Sequence, residues 1–329
     1  MHLFPWKYTP FTDDRGVKYP SMGHFIMAQK ALIQKDRRMY DRIMRSRRPI
    51  VVKTRGNQWR RCRMAICTDA VHYMVRAHPE IHKEFIQSGC EDIIDMTVEY
   101  GIEKRDNLVG RAAMKIRSNM YPTIIVPFRA TDQPERKQQL DVFREHMATY
   151  LPHCPILVVE QRPGEPFNRG ALLNFGVRHA QTPLICLHDV DLLPQEDILH
   201  AYTDPLHGVR HIARAWKRYN YDKYMGGIVL MWKRDYECIN GMPNDFWGWG
   251  GEDDEFGARI RDNQIPIQRV EQGTITDQEN LSVDEKMKIL RANGYKCKDK
   301  WEKRAWHRRY PGLRGYSDVQ DYDRLATVL

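Results

Sequence analysis

The pattern of apolar residues changes near residue 120. In the earlier part, apolar residues recur at the spacing of an amphipathic helix, in segments 22–46, 59–76 and 79–90. In the later part, short apolar runs rich in β-branched residues alternate with segments at helical spacing. We therefore expect residues 1–118 to form a mostly helical domain. Residues 119–329 are expected to form an α/β domain with a helical C-terminal extension.

Buried strands are predicted at three apolar runs of the second part, at 123–128, 156–160 and 184–187. Helical segments lie between them, over 134–150 and 169–180. Strand–helix–strand order predicts a sheet of parallel strands, and such sheets bind ligands beyond the carboxyl ends of their strands. The residues that directly follow each run are therefore the first candidates for a functional site.

Composition places the chain among globular proteins. It has 329 residues, of which 42% are hydrophobic and 29% charged, and this excludes a disordered chain, a collagen and a coiled-coil rod. No window approaches the ~18 consecutive apolar residues of a membrane span, and the first ten residues lack the apolar core of a signal peptide. The seven cysteines include no C-x-x-C pair and predict reduced thiols. These features predict a cytoplasmic protein without a membrane span.

The positive charge is concentrated in the first domain. Residues 1–120 carry 23 Lys and Arg against 13 Asp and Glu, whereas the remainder is nearly balanced. The densest basic run extends from Arg37 to Arg63. Such a run can contact the phosphates of nucleic acid, or it can be the solvated face of a helix. Both interpretations stay open on the sequence.

Two acids follow the third predicted strand. Asp189 and Asp191 are two residues apart, so both side chains can point into one cavity. Carboxylate oxygens suit hard cations such as Mg²⁺ or Mn²⁺, and such an ion could bridge the phosphates of a nucleotide. The alternative is a strand end capped by exposed acids. At neighbouring strand ends an aromatic residue and an arginine recur, as Phe128 with Arg129 and as Phe167 with Arg169. An aromatic ring can stack on the base of a nucleotide, and an arginine can bind its phosphate.

The segment Asn240–Arg259 (NGMPNDFWGWGGEDDEFGAR) has a high density of glycines, tryptophans and acids. Its glycines permit tight backbone turns, and its tryptophans offer flat surfaces for a sugar. Four acids follow at the start of a predicted helix, where one could take a proton from a hydroxyl group, although the helix dipole alone also favours acids there. Tyr221 and Tyr224 precede a glycine pair and could line the same pocket or pack at a strand edge.

Together these segments resemble the β-1,4-galactosyltransferase family, glycosyltransferase family 7. The resemblance covers about 121–280 and is carried by PFR (127–129), FNRGALLNFG (167–176), HDVDLLP (188–194), YMGG (224–227) and NGMPNDFWGWGGEDDEF (240–256). The order and spacing are those of the family, and two of the segments look most like the branch that adds galactose to xylose. The resemblance implies a GT-A fold, which is Rossmann-like, a UDP-sugar donor such as UDP-galactose, Mn²⁺ and inversion at the anomeric carbon.

The resemblance also implies roles for individual residues. Asp253 matches the catalytic base, and Glu252 and Asp254 match neighbours that hold donor and acceptor hydroxyls. Tyr221 and Tyr224 match tyrosines that set donor and acceptor choice, with Tyr224 favouring galactose over N-acetylgalactosamine. The donor-binding positions are Pro127, Phe128, Arg129, Phe167, Arg169, Asp189, Asp191, Gly227 and Trp249, and Gly250 and Gly251 complete the sugar pocket.

The sequence departs from the family at the metal site. The family usually supplies a histidine as second metal ligand downstream of the acidic helix, but 271–280 (EQGTITDQEN) contains none. Asp277 is the nearest candidate to join Asp191, and its harder oxygen would accept Mg²⁺ as well as Mn²⁺. The animal members carry a membrane anchor that is not evident here, which puts a proteoglycan acceptor in doubt.

Residues 17–99 bear a weaker resemblance to the NADAR (YbiA-like) family. It rests on YPSMGHFIMAQKAL (19–32), Trp59 and HPEIHKEFIQSGCEDIID (78–95). Gly23 stands where that family has a glutamate, which implies a degenerate copy without hydrolytic activity.

The sequence therefore supports one main function and two alternatives. The main one is a metal-dependent transfer of galactose, or a related hexose, from a UDP-sugar to a hydroxyl of a carbohydrate or glycosylated acceptor. The first alternative is a binding module for acidic polymers. The second is a glycosyltransferase that its basic domain delivers to nucleic acid, as in viruses that glycosylate modified bases.

Overall fold

A computed structural model describes most of the chain. The described residues are 2–3, 7–46, 64–87, 94–95, 112–114, 116, 120–130, 134–219, 221–248, 250–279, 282–285, 288, 312–313 and 326–328. The chain separates into two compact units, Met1–Met120 and Tyr121–Leu329, a division two residues beyond the expected 118. Among the described residues, no helix is long and apolar enough to cross a membrane.

The first unit is mainly helical. Its helices are α1 (Met22–Ile33), α2 (Arg37–Arg45), α3 (Met64–Ala77) and α4 (Pro79–Gln87), and its short strands are β1 (His2–Leu3), β2 (Phe11–Thr12), β3 (Lys18–Tyr19) and β4 (Ile94–Asp95). Strands β2 and β3 pair antiparallel as a hairpin. Aromatic side chains of this hairpin and of α1 pack together, with the rings of Tyr19 and Phe25 4.9 Å apart. This cluster and the apolar face of α3 form the core of the unit.

The single helical pattern over 22–46 forms two helices rather than one. Lys35 has a φ of 56°, which ends α1. The side chain of Asp36 then accepts a hydrogen bond from the Met39 amide at 2.9 Å and caps α2. Apolar residues at helical spacing continue across this break, so periodicity alone does not reveal it.

An α/β architecture forms the second unit. Its helices are α5 (Pro134–Tyr150), α6 (Arg169–His179), α7 (Lys233–Cys238) and α8 (Glu252–Asp262), and 3₁₀ turns lie at Glu196–Tyr202 and Ile212–Ala215. Its strands are β5 (Thr123–Phe128), β6 (Ile156–Gln161), β7 (Leu184–His188), β8 (Leu192–Pro194), β9 (Val209–His211), β10 (Ile228–Trp232), β11 (Ile267–Arg269), β12 (Ile275–Asp277) and β13 (Ala326–Val328). The three strands and two helices predicted over 123–187 are confirmed within one residue.

The main sheet has seven strands in the order β11-β9-β10-β7-β5-β6-β13. Strand β5 is parallel to β6 and to β7, as predicted. Strand β10 is antiparallel to β7 and β9, so the sheet as a whole is mixed. The carboxyl ends of β5, β6 and β7 therefore lie at the same edge, and the loops that follow them meet there.

The helical C-terminal extension expected for the second unit stays a prediction. Most of 281–325 lies outside the described residues. Strand β13, close to the C-terminus, pairs antiparallel with β6 and closes that edge of the sheet. An edge strand presents unpaired amide and carbonyl groups, and a returning segment satisfies them.

Candidate active site

An arginine and an aspartate join two of the strand ends. Asp189 follows β7, and Arg169 begins α6 after β6; the Nε and Nη2 atoms of Arg169 both lie 2.8 Å from Asp189 Oδ1. The Asp189 amide donates to the Gly227 carbonyl at 3.1 Å, which ties the carboxylate to the start of β10. A guanidinium and a carboxylate are thus held at the edge of the sheet where ligands bind in such folds.

The second acid of the pair, Asp191, faces a different arginine. Arg136, from the first turn of α5, lies 3.0 Å from Asp191 Oδ2 and 3.2 Å from Glu279 Oε2. Asp277 forms an ion pair with Arg218. Strand β12 pairs with β8 so that Asp277 lies opposite Leu192, directly after Asp191. The structure therefore brings the two metal-ligand candidates, Asp191 and Asp277, to neighbouring strands.

The glycine- and tryptophan-rich loop is attached to the start of α6. Asn168 caps α6 by accepting from the Ala171 amide at 2.9 Å, and its Nδ2 donates to the Asn244 carbonyl at 2.6 Å. Gly170 lies against this loop, where a Cβ would stand 2.0 Å from the Pro243 carbonyl oxygen. Only glycine permits so close an approach, which brings residues 244–248 beside the arginine of α6. Trp249 lies outside the described residues.

Helix α8 begins with the four acids, and these acids have different surroundings. Gly251 precedes them in the left-handed conformation, with a φ of 93°. Glu255 is buried and pairs with Arg259 at 3.1 Å, one turn further along the helix. This pair is internal to the helix and gives Glu255 a structural role. Glu252 is buried, whereas Asp253 and Asp254 are partly exposed.

Asp253 has a raised pKa, and its carboxylate lies beside the backbone of Gly226. Burial, followed by the nearby charges of Glu252 and Asp254, raises the pKa of Asp253 to about 7, although Arg169 opposes the shift. A Cβ at Gly226 would lie 3.0 Å from Asp253 Oδ2, so the carboxylate borders the backbone that leads into β10. A carboxylate with a pKa near neutrality can accept a proton from a bound hydroxyl group.

Two tyrosines line the space beside Asp253. The Tyr224 ring is 5% exposed and lies 5.8 Å from the Tyr221 ring. Tyr221 donates to Asp254 Oδ1 at 3.3 Å, which links the predicted acceptor residues to α8. Gly227 has a φ of 75°, and a Cβ there would meet the Ala213 Cβ at 2.6 Å. Four of the predicted positions, Tyr221, Tyr224, Asp254 and Gly227, therefore lie close to Asp253.

His188, the first residue of HDVD, has a structural role. Its Nε2 lies 2.9 Å from the Tyr202 hydroxyl and its Nδ1 2.9 Å from the Asp189 carbonyl oxygen. Burial lowers the pKa of His188 to about 4, so the ring is neutral at physiological pH. It holds the backbone of the acidic pair in place.

The remaining predicted donor residues lie at the same edge. Pro127 and Phe128 are buried at the end of β5, and Arg129 donates to the Glu165 carbonyl at 2.7 Å. Phe167 packs partly against the core, and its carbonyl accepts from the Gly248 amide at 2.7 Å. Gly250 has a φ of 95° and no heavy atom within 4 Å of an added Cβ. Phe167 therefore also serves as an anchor for the loop.

Sequence reasoning missed three charged residues of the site. Arg136 follows the first strand end in the opening turn of a helix, a position that resembles that of Arg169. Glu279 lies two residues after Asp277, the same spacing as Asp189 and Asp191. Arg218 precedes Tyr221 by three residues. The first two signals were present in the sequence, but the pairing of Arg218 depends on tertiary contact.

The resemblance of the first unit to the NADAR family stays a prediction. His24 is buried, with Nδ1 2.8 Å from Ser21 Oγ and Nε2 2.9 Å from the Ser46 carbonyl oxygen. Burial lowers the pKa of His24. These contacts describe a structural histidine. Trp59 lies outside the described residues.

Comparison with protein families gives two matches. The family described as "N-terminal region of glycosyl transferase group 7" matches residues 111–203, and the family described as "N-terminal domain of galactosyltransferase" matches residues 207–281. Together they cover about half of the chain, including the candidate site.

Individual relatives agree with these matches. The chain is 39% identical over 155 residues to the Drosophila melanogaster β-1,4-galactosyltransferase 7, covering 44% of this chain and 46% of that protein. It is 38% identical over 167 residues to the Caenorhabditis elegans xylosylprotein 4-β-galactosyltransferase, covering 48% and 55%. The chain spans about half the length of the curated relatives it matches.

A solved structure is also similar to the chain. It is a crystal structure of a mutant Drosophila β-1,4-galactosyltransferase 7 in complex with manganese, UDP-Gal and xylobiose. The two are 32% identical, the TM-score is 0.42, and the match covers 48% of this chain and 71% of that one.

Proposed function

Because the chain belongs to the galactosyltransferase family of glycosyltransferase group 7, with the GT-A type of α/β unit, we propose that it transfers galactose from UDP-galactose to a carbohydrate hydroxyl group. The observation that carries this proposal is the arrangement around Arg169. Its side chain contacts Asp189 at the end of β7, and its charge acts on the pKa of Asp253 at the start of α8. A group that can bind phosphate and a group that can accept a proton thus lie within one site.

The proposed reaction is an inverting displacement at the anomeric carbon. The acceptor oxygen forms a bond to that carbon from the face opposite UDP, and the bond between the carbon and the diphosphate oxygen breaks. Asp253 takes the proton of the acceptor hydroxyl group, and UDP leaves with the bonding electrons. A positioned base of this kind contributes about 10²–10⁴-fold to such a rate.

Four further residues are assigned to orient the sugars. Tyr224 is buried beside Gly226 and Gly227, so a bulky acetamido group on the donor sugar would meet its ring. Tyr221 and Asp254 share a hydrogen bond at the more exposed side of the pocket, where an acceptor can enter. We therefore assign donor choice to Tyr224 and acceptor contact to the Tyr221–Asp254 pair. Glu252 borders Asp253 and is assigned to hold a donor hydroxyl.

The candidate ligands for a divalent ion lie at the donor end of the site. Asp191 and Asp277, with Glu279, provide only oxygen ligands, which suit Mn²⁺ or Mg²⁺. All three carboxylates already form ion pairs with arginines. Arg136 pairs with Asp191 and Glu279, and Arg218 pairs with Asp277. Within the described ranges, no three His, Cys, Asp or Glu side chains are arranged to hold an ion. We infer that an ion would bind only after the arginine side chains move away from these carboxylates. When bound, the ion supplies positive charge to the leaving diphosphate.

The acceptor is proposed from the chemistry of relatives. One relative carries the name xylosylprotein 4-β-galactosyltransferase. We propose a xyloside as the acceptor class for this chain. The nucleic-acid partner expected from the basic first domain stays a prediction, because most of its arginine run, including 47–63, lies outside the described residues.

A transfer assay tests the proposal. Purified protein is incubated with UDP-galactose and a β-xyloside, in Mn²⁺ and in EDTA, and the product is identified by NMR of its anomeric proton. UDP-glucose and UDP-N-acetylgalactosamine serve as donor controls. A β-linked galactosyl product formed only with metal is the expected result. If the protein neither transfers nor hydrolyses any of these UDP-sugars in Mn²⁺, the proposed function is wrong.

A further inference from the structure

Arg218 is an arginine of the site that the proposed reaction has not yet used. It forms an ion pair with Asp277, and both side chains are largely buried, at 15% and 18% exposure. Its guanidinium carbon also lies 5.6 Å from the centre of the Trp216 ring and 5.9 Å from that of Tyr219. Aromatic contacts and a carboxylate together hold this cation in one place.

The position of Arg218 is at the diphosphate end of the site. Its partner Asp277 lies on β12 opposite the residue that follows Asp191, and the Gln278 amide donates to the Asp191 carbonyl at 2.7 Å. On its other side, the Tyr219 ring lies 5.1 Å from the Tyr224 ring, within the sugar pocket. Arg218 therefore lies between the acidic group and Tyr224, and the proposed function would place the diphosphate of the donor there.

The charges of this group explain why a second arginine is needed. Asp191, Asp277 and Glu279 would repel a diphosphate, and Arg136 alone contacts two of them. Arg218 balances the third. A divalent ion held by these carboxylates would take the place of the arginines as their partner, and the guanidinium groups could then donate to phosphate oxygens. The planar guanidinium group matches the geometry of phosphate.

We propose that Arg218 is a donor-binding residue that contacts the diphosphate of the UDP-sugar and that Asp277 holds it in place before the donor binds. This inference rests on the proposed function of the site. It adds a residue that contacts the leaving group, from the same segment that carries Tyr219 and Tyr221. It also makes Arg218 and a divalent ion competitors for Asp277.

Binding measurements on Arg218→Met test this inference. Calorimetry measures the affinity of UDP and of uridine, each in Mn²⁺ and in EDTA, and the affinity of Mn²⁺ alone. We expect the variant to bind UDP about tenfold more weakly in Mn²⁺, since a charge-assisted hydrogen bond to phosphate is lost. In EDTA the loss should be smaller, because Asp277 still holds Arg218 in the wild type. Uridine affinity should not change, because uridine has no phosphate. Mn²⁺ affinity should increase, because Asp277 loses its competing cation.

Arg234→Met is the matched control. Arg234 also lies over an aromatic ring, 5.9 Å from the centre of Trp232, but its side chain is 82% exposed on α7. This variant should bind every probe as the wild type does. Arg218→Lys keeps the charge without the planar group and should fall between wild type and Arg218→Met for UDP.

Each outcome distinguishes the role of Arg218 from the function of the site. If Arg218→Met binds UDP as tightly as wild type, the inference is wrong. Equal weakening of UDP and uridine would also overturn it, because that pattern reports a damaged pocket. Wild-type protein that binds neither UDP nor UDP-galactose would overturn the proposed function itself, and the inference with it.

Discussion

Replacing Asp253 with asparagine should remove activity and, at the same time, stabilise the protein. The amide keeps the size of the side chain and can still accept the hydrogen bond that the Asp254 amide donates at 2.9 Å. It cannot accept a proton from the acceptor hydroxyl. We therefore expect kcat to fall about 10²–10⁴-fold, while the affinity for UDP changes little.

The expected gain in stability follows from the pKa of Asp253. Its carboxyl group has a usual pKa of 3.8, which burial, Glu252 and Asp254 raise to about 7. A shift of this size corresponds to about 4 kcal/mol of destabilisation by the ionised form, and partial solvent exposure reduces the expected value to about 2 kcal/mol. For a unit of this length, that corresponds to a rise in Tm of about 4–8 °C.

The gain should depend on pH. The folded state holds the Asp253 proton more tightly than the unfolded state, so wild-type stability from this group is greatest at low pH. It falls as pH rises from near the usual pKa of 3.8 to about 7, and stays low above that. The advantage of Asp253→Asn should therefore be complete at pH 8, smaller at pH 5 and absent near pH 4.

Three measurements on one preparation test this reasoning: kcat, UDP affinity, and Tm at pH 5 and pH 8. Asp262→Asn, at the exposed end of the same helix, is the control and should change Tm only slightly. The competing interpretation treats Asp253 as an acid that stabilises the helix N-terminus, worth a fraction of a kcal/mol. Near-normal turnover with a slightly lower Tm would support that interpretation and remove Asp253 from the mechanism.

Three further changes test other parts of the site. Asp191→Ala should abolish metal-dependent binding of UDP, because Asp191 is the proposed link between ion and protein; calorimetry with UDP and Mn²⁺ measures this, and undiminished binding by a folded variant would contradict it. Tyr224→Leu should increase turnover of UDP-N-acetylgalactosamine relative to UDP-galactose, because a smaller side chain leaves volume for the acetamido group; equal use of both donors by wild type would show that Tyr224 does not select the donor. Glu252→Gln should lower the pKa of Asp253 by removing a neighbouring negative charge, so the acidic limb of kcat/KM against pH should move to lower pH; an unmoved limb would mean that Asp253 is not the titrating base.

Local patterns predicted the sheet and its functional edge. The strands formed by the runs at 123–128 and 184–187 are buried on both faces, and the strand at 156–160 is partly buried. Strands buried on both faces have continuous apolar sequences. Because parallel strands end at the same edge, Asp189 and Arg169 could be placed together before the fold was known. Their contact at 2.8 Å agrees with that reasoning.

Other features depend on contacts between distant residues. The break at Lys35 between two helices leaves the apolar periodicity intact, so it is invisible to a periodicity argument. Strand β10 pairs antiparallel with β7 and β9, and its own apolar run carries no signal of that direction. The return of β13 to the edge of β6 joins residues that are more than 160 positions apart.

The roles of the four acids at the start of α8 show the same limit. In the sequence they are equivalent carboxylates at a helix N-terminus, all favoured by the helix dipole. In the folded protein, Glu255 pairs with Arg259 of the same helix, and Asp254 accepts a hydrogen bond from the Tyr221 hydroxyl. Asp253 lies where burial raises its pKa. Residue type and spacing predicted that an acid of this group acts as a base. Which acid can do so depends on solvent access and on charges from α6, because the free energy of a buried charge is set by its three-dimensional surroundings.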